Sequence, residues 1–240
     1  GYAIYRPRYI LPDYNVYIEK GCEFLELPAP KNLDEALDGL LILYSHVPSI
    51  TTFPVYIGRL DVLLDPFITD EEQDYIKIKC FLNHVDKTVP DSFCHANIGP
   101  YDTKAGRLIL KAVIELEAPT PNMTIRYDKS KTSREFAELA AKACLLVSKP
   151  SFANDAYYIS DLGKQYGIAS CYNALPECGG AYTLTRLRLG TIARACKTVD
   201  EMINELLPRV AKCALSTMDK RHKFVVEESN FFNTSFLEKE

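Results

Sequence analysis

The chain has 240 residues, 47% apolar and 25% charged, enough for one large domain or two small ones with a sizeable core. Its 28 basic and 32 acidic side chains leave a net charge of −4, so no phosphate-tracking surface and no nucleic-acid partner are expected. The longest apolar run, Leu40-Leu41-Ile42-Leu43-Tyr44, is far short of the ~20 residues a membrane span needs, so no membrane helix is expected either.

From the N-terminus, Tyr5-Arg6-Pro7-Arg8-Tyr9 and Leu11-Pro12-Asp13-Tyr14 predict an extended, packed lead-in segment, because proline fixes φ and restricts its predecessor. Asn32 with Glu35 predicts a helix start, with apolar positions running to Tyr44 and Pro48 closing the element. Thr69 with Glu72 opens a second helix through Tyr75, Ile78, Phe81, Leu82 and Val85. Asp102 starts a third through Leu108, Leu110, Val113 and Leu116. Thr132 with Glu135 opens a fourth, and Thr198 with Glu201 a fifth that Pro208 must kink or interrupt. Strand-like pieces fall between: Phe93 to Ile98, Met123 to Tyr127, Tyr157 to Ile159, Tyr166 to Tyr172 and Tyr182 to Leu189. Strands alternating with helices predict an α/β fold with a mostly parallel sheet and no internal domain boundary over 1–240.

The eight cysteines contain no Cys-x-x-Cys pair, which argues against structural zinc, and they are too sparse for a disulfide scaffold. Reduced thiols in a cytoplasmic protein are expected. The first residue is Gly1, and the last, Phe236 to Glu240, bring no terminator. The expectation is a piece of a longer protein.

In parallel α/β folds, function gathers at the carboxyl ends of strands. Polar residues following the strand-like pieces are therefore the candidates: Asn97, Asp128, Asn154, Asp155 and Asn173, with Cys171 on a turn at the same edge. His95 is a candidate substrate contact or proton donor, although a histidine whose ring nitrogens are satisfied in the core is the simpler expectation from sequence alone. Asn97 and Asn122 carry amides suited to a carboxylate or hydroxyl, although turn chemistry explains such asparagines equally well. For Cys171, spacing alone favours an inert packed thiol, since a thiolate nucleophile needs a base and no histidine lies nearby in sequence. Lys220-Arg221-His222-Lys223 is expected to be a solvated helix end.

Several stretches carry a resemblance. Pro150-Ser151-Phe152-Ala153-Asn154-Asp155, followed by Tyr166-Gly167-Ile168-Ala169-Ser170-Cys171, resembles the strand and cysteine loop of glycyl radical enzymes. Within that superfamily the chain is similar to the YjjI-type glycine radical enzymes over nearly its whole length. The further matches are Arg6 to Tyr14, His95 to Pro100, Ser170 to Asn173 and Asn233 to Leu237.

The resemblance implies half of a ten-stranded α/β barrel, mostly parallel strands with surrounding helices, with a catalytic cysteine, here Cys171, on a loop inside. It implies a backbone radical on a glycine near the C-terminus of the whole protein, installed by a partner, a radical-SAM iron–sulfur activating enzyme. The Arg-Val-x-Gly-Tyr motif of that glycine is absent here, so no cofactor is expected in this chain and the piece alone is expected to be inactive. A hydrogen-atom carrier must be a neutral thiol, which the apolar Tyr166, Ile168 and Ala169 favour. The implied activity is anaerobic hydrogen abstraction from a small polar substrate, with His95, Asn97, Asn122, Asn154, Asp155 and Asn173 as substrate-binding candidates. A homodimer is the assembly to test. Dehydratase members carry Gly-Cys-Val-Glu-Pro, whose Glu is a general base; here that position is Asn173, which cannot take a proton. Glu177 is the replacement to consider, although a solvated loop glutamate is the simpler expectation. Pyruvate formate-lyase has adjacent cysteines, whereas Tyr172 follows Cys171 here. The competing class is a non-catalytic α/β domain used for binding or assembly.

Overall fold

Two four-residue stretches, His95-Ala96-Asn97-Ile98 and Met123-Thr124-Ile125-Arg126, alternate polar and apolar side chains, and that alternation decides how the sheet is built. The computed structural model describes residues 8–49, 51, 55–89, 94–118, 120–181 and 185–228. Chain order is β1 (Tyr9–Ile10), α1 (Asn15–Lys20), α2 (Leu33–His46), β2 (Tyr56–Arg59), α3 (Leu60–Leu64) and α4 (Glu71–Thr88). Next come β3 (His95–Ile98), α5 (Lys104–Leu116), β4 (Asn122–Tyr127), α6 (Arg134–Val147), β5 (Ser151–Asn154) and α7 (Asp155–Leu162). The chain continues through β6 (Tyr166–Ala169), β7 (Asn173–Pro176), β8 (Gly180–Ala181), α8 (Leu189–Arg194), α9 (Val199–Glu201) and α10 (Leu207–Lys223).

Strands β2-β3-β4-β5 form one parallel sheet in that order, each joined to the next through helix, as parallel pairing requires. The protein is therefore mixed α/β with a four-stranded parallel sheet. Ala96, Ile98, Met123 and Ile125 enter the main core with Ala105, Ile109 and Leu110 of α5. His95, Asn97, Thr124 and Arg126 alternate with them and are equally buried, so the opposite face of the sheet is polar inside the protein. Of the expected extended lead-in, residues 5–7 lie outside the described residues, Tyr9–Ile10 is extended and pairs antiparallel with β8 through Tyr9↔Ala181 and Ile10↔Gly180, and Tyr14 already turns into α1.

The helices follow their caps, with shifts that have local causes. Asn32 caps α2 by accepting from Glu35 N–H at 2.9 Å, as the sequence predicts. For α4 the cap is Asp70, not Thr69: the Asp70 carboxylate accepts from the Glu72 and Gln73 N–H groups, while Asp74 accepts from the N–H groups of both Thr69 and Asp70. Thr103 rather than Asp102 caps α5, since Asp102 is held by Arg107. Ser133 rather than Thr132 caps α6, since the Thr132 hydroxyl donates to Pro100 O. Thr198 caps α9 as expected, and ahead of Pro208 the helix widens into a π turn at Met202–Leu206 before α10 begins. That wider turn accommodates a residue with no N–H to give.

Two expected strands are corrected. Tyr157 to Ile159 lies in α7, because Asn154 turns the chain and accepts from Tyr157 N–H at 3.1 Å. Of the piece Tyr182 to Leu189, residues 182–184 lie outside the described residues, 185–188 form no strand, and Leu189 begins α8. Phe93 also lies outside them, and β3 starts at His95. Strands β2, β7 and β8 were not anticipated as strands, and β5 lies in the stretch Pro150 to Asp155, singled out as a strand only by resemblance. The match at Asn233 to Leu237 lies outside the described residues.

Asp61, in α3, ties that helix to the loop after β3 by accepting from Gly99 N–H at 2.7 Å. Burial pushes its carboxyl from 3.8 up to about 7. A folded pKa raised above the unfolded one gives stability that is fully present below about pH 4 and lost as pH rises towards 7. Across that window the unfolding free energy of the wild type, measured by urea titration, is expected to fall relative to Asp61→Asn by up to about 1.4 kcal/mol per pH unit. Parallel pH profiles for the two proteins would refute the assignment.

Candidate functional site

Strands β6 and β7 pair antiparallel, with Ala169↔Asn173 closing a three-residue turn of Ser170, Cys171 and Tyr172. The hairpin lies on the polar face of the sheet. Gly167 permits this approach, since a Cβ there would sit 2.5 Å from Tyr56 Cζ. The groups of β6 that point away from β7 are taken by side chains of the sheet. Asn97 Nδ2 donates to Ile168 O at 2.9 Å, and Ile168 N–H donates back to Asn97 Oδ1 at 2.7 Å. Arg126 donates to Tyr166 O and to Gln165 Oε1, both at 3.1 Å, and its guanidinium stands 4.2 Å from the Tyr166 ring centroid.

At the turn, Ser170 and Tyr172 hold left-handed backbone at φ +56° and +64°, so the cysteine is presented between two unfavourable conformations. The Cys171 side chain is exposed at the tip. Ser170 Oγ approaches its Sγ at 3.6 Å. Asn173 Nδ2 donates to the Tyr9 hydroxyl at 3.2 Å. Burial pushes the Tyr9 phenol up, with the hydrogen bond from Asn173 working in the other direction. Tyr172 and His95 pack nearly perpendicular, with ring centroids 5.0 Å apart.

His95 is the first residue of β3, and Arg126 is near the end of β4. Strand β6 thus runs against the sheet, and its turn sits at the amino ends of the parallel strands. The expectation that Cys171 lies at the carboxyl edge is corrected. A reversed strand carries its following loop to the opposite end.

Beside the turn lies an open cavity of about 390 Å³, bordered by Thr124, Ser151, Asn154, Tyr157, Tyr158 and Tyr172 among others, with no charged side chain in its lining. The Thr124 and Ser151 hydroxyls are 2.8 Å apart. Of the predicted residues, His95, Asn97, Cys171 and Asn173 gather around the hairpin, and Asn154 borders the cavity while capping α7. Asn122 opens β4 in register with His95. Asp155 lies at the carboxyl end, accepting from Arg126 Nε at 2.8 Å in a buried ion pair. Tyr9, Tyr56, Arg126 and Ser170 were not singled out from sequence. Arg126 carried a signal, a charge on the inward register of a buried parallel strand.

The family model for "Glycyl radical enzyme YjjI-like" proteins matches residues 1–240. The chain belongs to the YjjI-like glycyl radical enzyme family. An uncharacterized protein of Haemophilus influenzae is 92% identical over all 240 residues, and the uncharacterized protein YjjI of Escherichia coli is 44% identical over 243 aligned residues. The chain spans 47% of the length of each relative.

For a YjjI-like protein, the question left by Asn173 is whether another carboxylate serves the cysteine. Glu177 does not stand beside it. The residue follows β7, at the end of the hairpin away from the turn, and is paired with Arg59 at 3.2 Å. Its side chain is 13% exposed and burial pushes its carboxyl up, so the expected solvated loop glutamate is corrected to a half-buried ion-pair partner. Lys220 to Lys223 fill the last turn of α10, but the expected helix end is corrected, because the chain continues directly into a π turn at Phe224–Glu228. Among the described residues, no helix is long and apolar enough to cross a membrane.

Proposed function

We propose that this chain is the cysteine-bearing part of a glycyl radical enzyme and that Cys171 is its hydrogen-atom carrier. The observation that carries the reading is the hairpin that holds Cys171, clamped at its outward edge by Asn97 and Arg126 and ending beside a cavity. The sheet described above would be part of one half of a ten-stranded barrel, completed by the remaining length seen in the relatives. A glycine in that remainder would hold the radical, installed by a radical-SAM iron–sulfur activating enzyme in an anaerobic cytoplasm. The Cys171 S–H bond breaks homolytically, its hydrogen goes to the glycyl carbon, and a thiyl radical remains. The thiyl takes a hydrogen atom from a substrate C–H bond and later returns it to the product radical. A volume of about 390 Å³ suits a small molecule, and a lining that mixes hydroxyls and one amide with Phe152, Ala153 and Ile168 suits an uncharged one with polar and apolar parts.

The test is electron paramagnetic resonance of the full-length protein after anaerobic reaction with the activating enzyme. The expected signal is a doublet from one α-proton. No glycyl signal from protein that has been reacted with active activating enzyme would overturn the proposal and favour a non-catalytic binding or assembly role.

A further inference from the structure

The amide of Asn97 is fully buried, and both its polar atoms are engaged by one residue, Ile168, three positions before Cys171. In an antiparallel pair, every second residue of β6 turns its N–H and C=O away from β7. No further strand adds to that edge among the described residues; the sheet's polar face meets it through Asn97 and Arg126 instead. Asn97 comes from the middle of β3, flanked by the fully buried Ala96 and Ile98, so its Cα is fixed by the main core. The two hydrogen bonds are therefore a rigid link between the core and the strand that carries the cysteine.

We infer that Asn97 is a positioning residue that sets where Cys171 stands, acting through the Ile168 peptide rather than by touching substrate. The inference rests on the proposed role of Cys171 as hydrogen carrier. An alanine at 97 leaves both Ile168 groups without their partner. An aspartate keeps an acceptor for the Ile168 N–H but sets a carboxylate oxygen against Ile168 O. Either change loosens the link while leaving the glycine loop untouched.

Substrate-free hydrogen exchange separates this role from substrate binding. In D2O the thiol carries deuterium. Transfer to the glycyl carbon and back replaces the α-proton, so the doublet collapses to a singlet. Asn97→Ala and Asn97→Asp, made in the full-length protein, are expected to keep the doublet's initial intensity and to slow its collapse at least roughly tenfold, because small misplacements are costly in such transfers. Amide exchange measured by mass spectrometry is expected to quicken in the peptide containing Ile168. If the alanine variant proves insoluble, the near-isosteric aspartate carries the test. Collapse at the wild-type rate in a variant with an intact doublet overturns the inference, since a ligand of absent substrate would behave so. A Cys171→Ala protein that exchanges like the wild type removes the hydrogen-carrier reading instead, and with it this role for Asn97.

Discussion

Cys171→Ala in the full-length protein is expected to abolish turnover and deuterium exchange while leaving the glycyl doublet at its usual intensity. The side chain is exposed at a turn tip, so its removal opens no core cavity and costs about 1 kcal/mol or less. The left-handed residues are Ser170 and Tyr172, so alanine at 171 meets no demand for φ above zero. In the proposed function, radical installation would act on the glycine loop and would not need this thiol. Hydrogen transfer does, because no other thiol lies in the turn. Cys178→Ala is the matched control. That residue follows the four-residue β7 and Glu177, so at about 3.3 Å per residue it lies well over 10 Å from the turn. Its backbone N–H is tied to Leu11 O at 2.9 Å, a contact alanine retains. Full activity of the Cys171 variant, or equal loss in both variants, would refute a single-thiyl mechanism.

The elements that sequence predicted well are those fixed by local chemistry. Asn32, Thr198 and the apolar stripe of α4 needed only a cap and a helical period. The one-residue shifts at Asp102 and Thr132 arose where that side chain was already engaged elsewhere, which a cap pattern does not reveal, and at Thr69 the neighbouring Asp70 is the stronger acceptor. Tyr157 to Ile159 looks like a strand by composition, but the preceding Asn154 supplies a cap and the segment turns helical. Strand β2 is buried at Tyr56, Ile57 and Gly58 alike, so no alternation of polar and apolar residues marks it.

The cysteine turn was legible as a turn, and its functional meaning came from the family resemblance. Its end of the sheet was not legible, because the carboxyl-edge rule holds for strands that run with the sheet. Strand β6 runs against it, a direction set by contacts of Asn97 with a residue 71 positions away. The Tyr9–Asn173 hydrogen bond joins residues 164 positions apart, beyond any local pattern. What sequence did hold was the inward register of His95, Asn97, Thr124 and Arg126, legible as alternation within two strands.

The largest effect on stability is expected at the other end of the hairpin. Arg126 and Asp155 are each 2% exposed in their side chains and paired at 2.8 Å. Removing one member of such a pair leaves the other charge buried and uncompensated, at about 3–5 kcal/mol. The two single changes are not equivalent. After Arg126→Met, Asp155 keeps Lys131, whose Nζ lies 3.3 Å from its Oδ2. After Asp155→Ala, the guanidinium keeps the neutral acceptors Tyr166 O and Gln165 Oε1 and the face of the Tyr166 ring, but no paired carboxylate among the described residues. Asp155→Ala is therefore expected at the upper end of that range and Arg126→Met at the lower end, measured by urea unfolding of the full-length protein. The double variant removes both charges, so its loss should be clearly smaller than the sum of the two singles. Arg126→Met should also slow the deuterium exchange, because it frees the Tyr166 carbonyl at the root of the cysteine strand. Additive losses, or an Asp155→Ala cost below about 1 kcal/mol, would show that this pair is solvated in the full-length protein and does not anchor the hairpin.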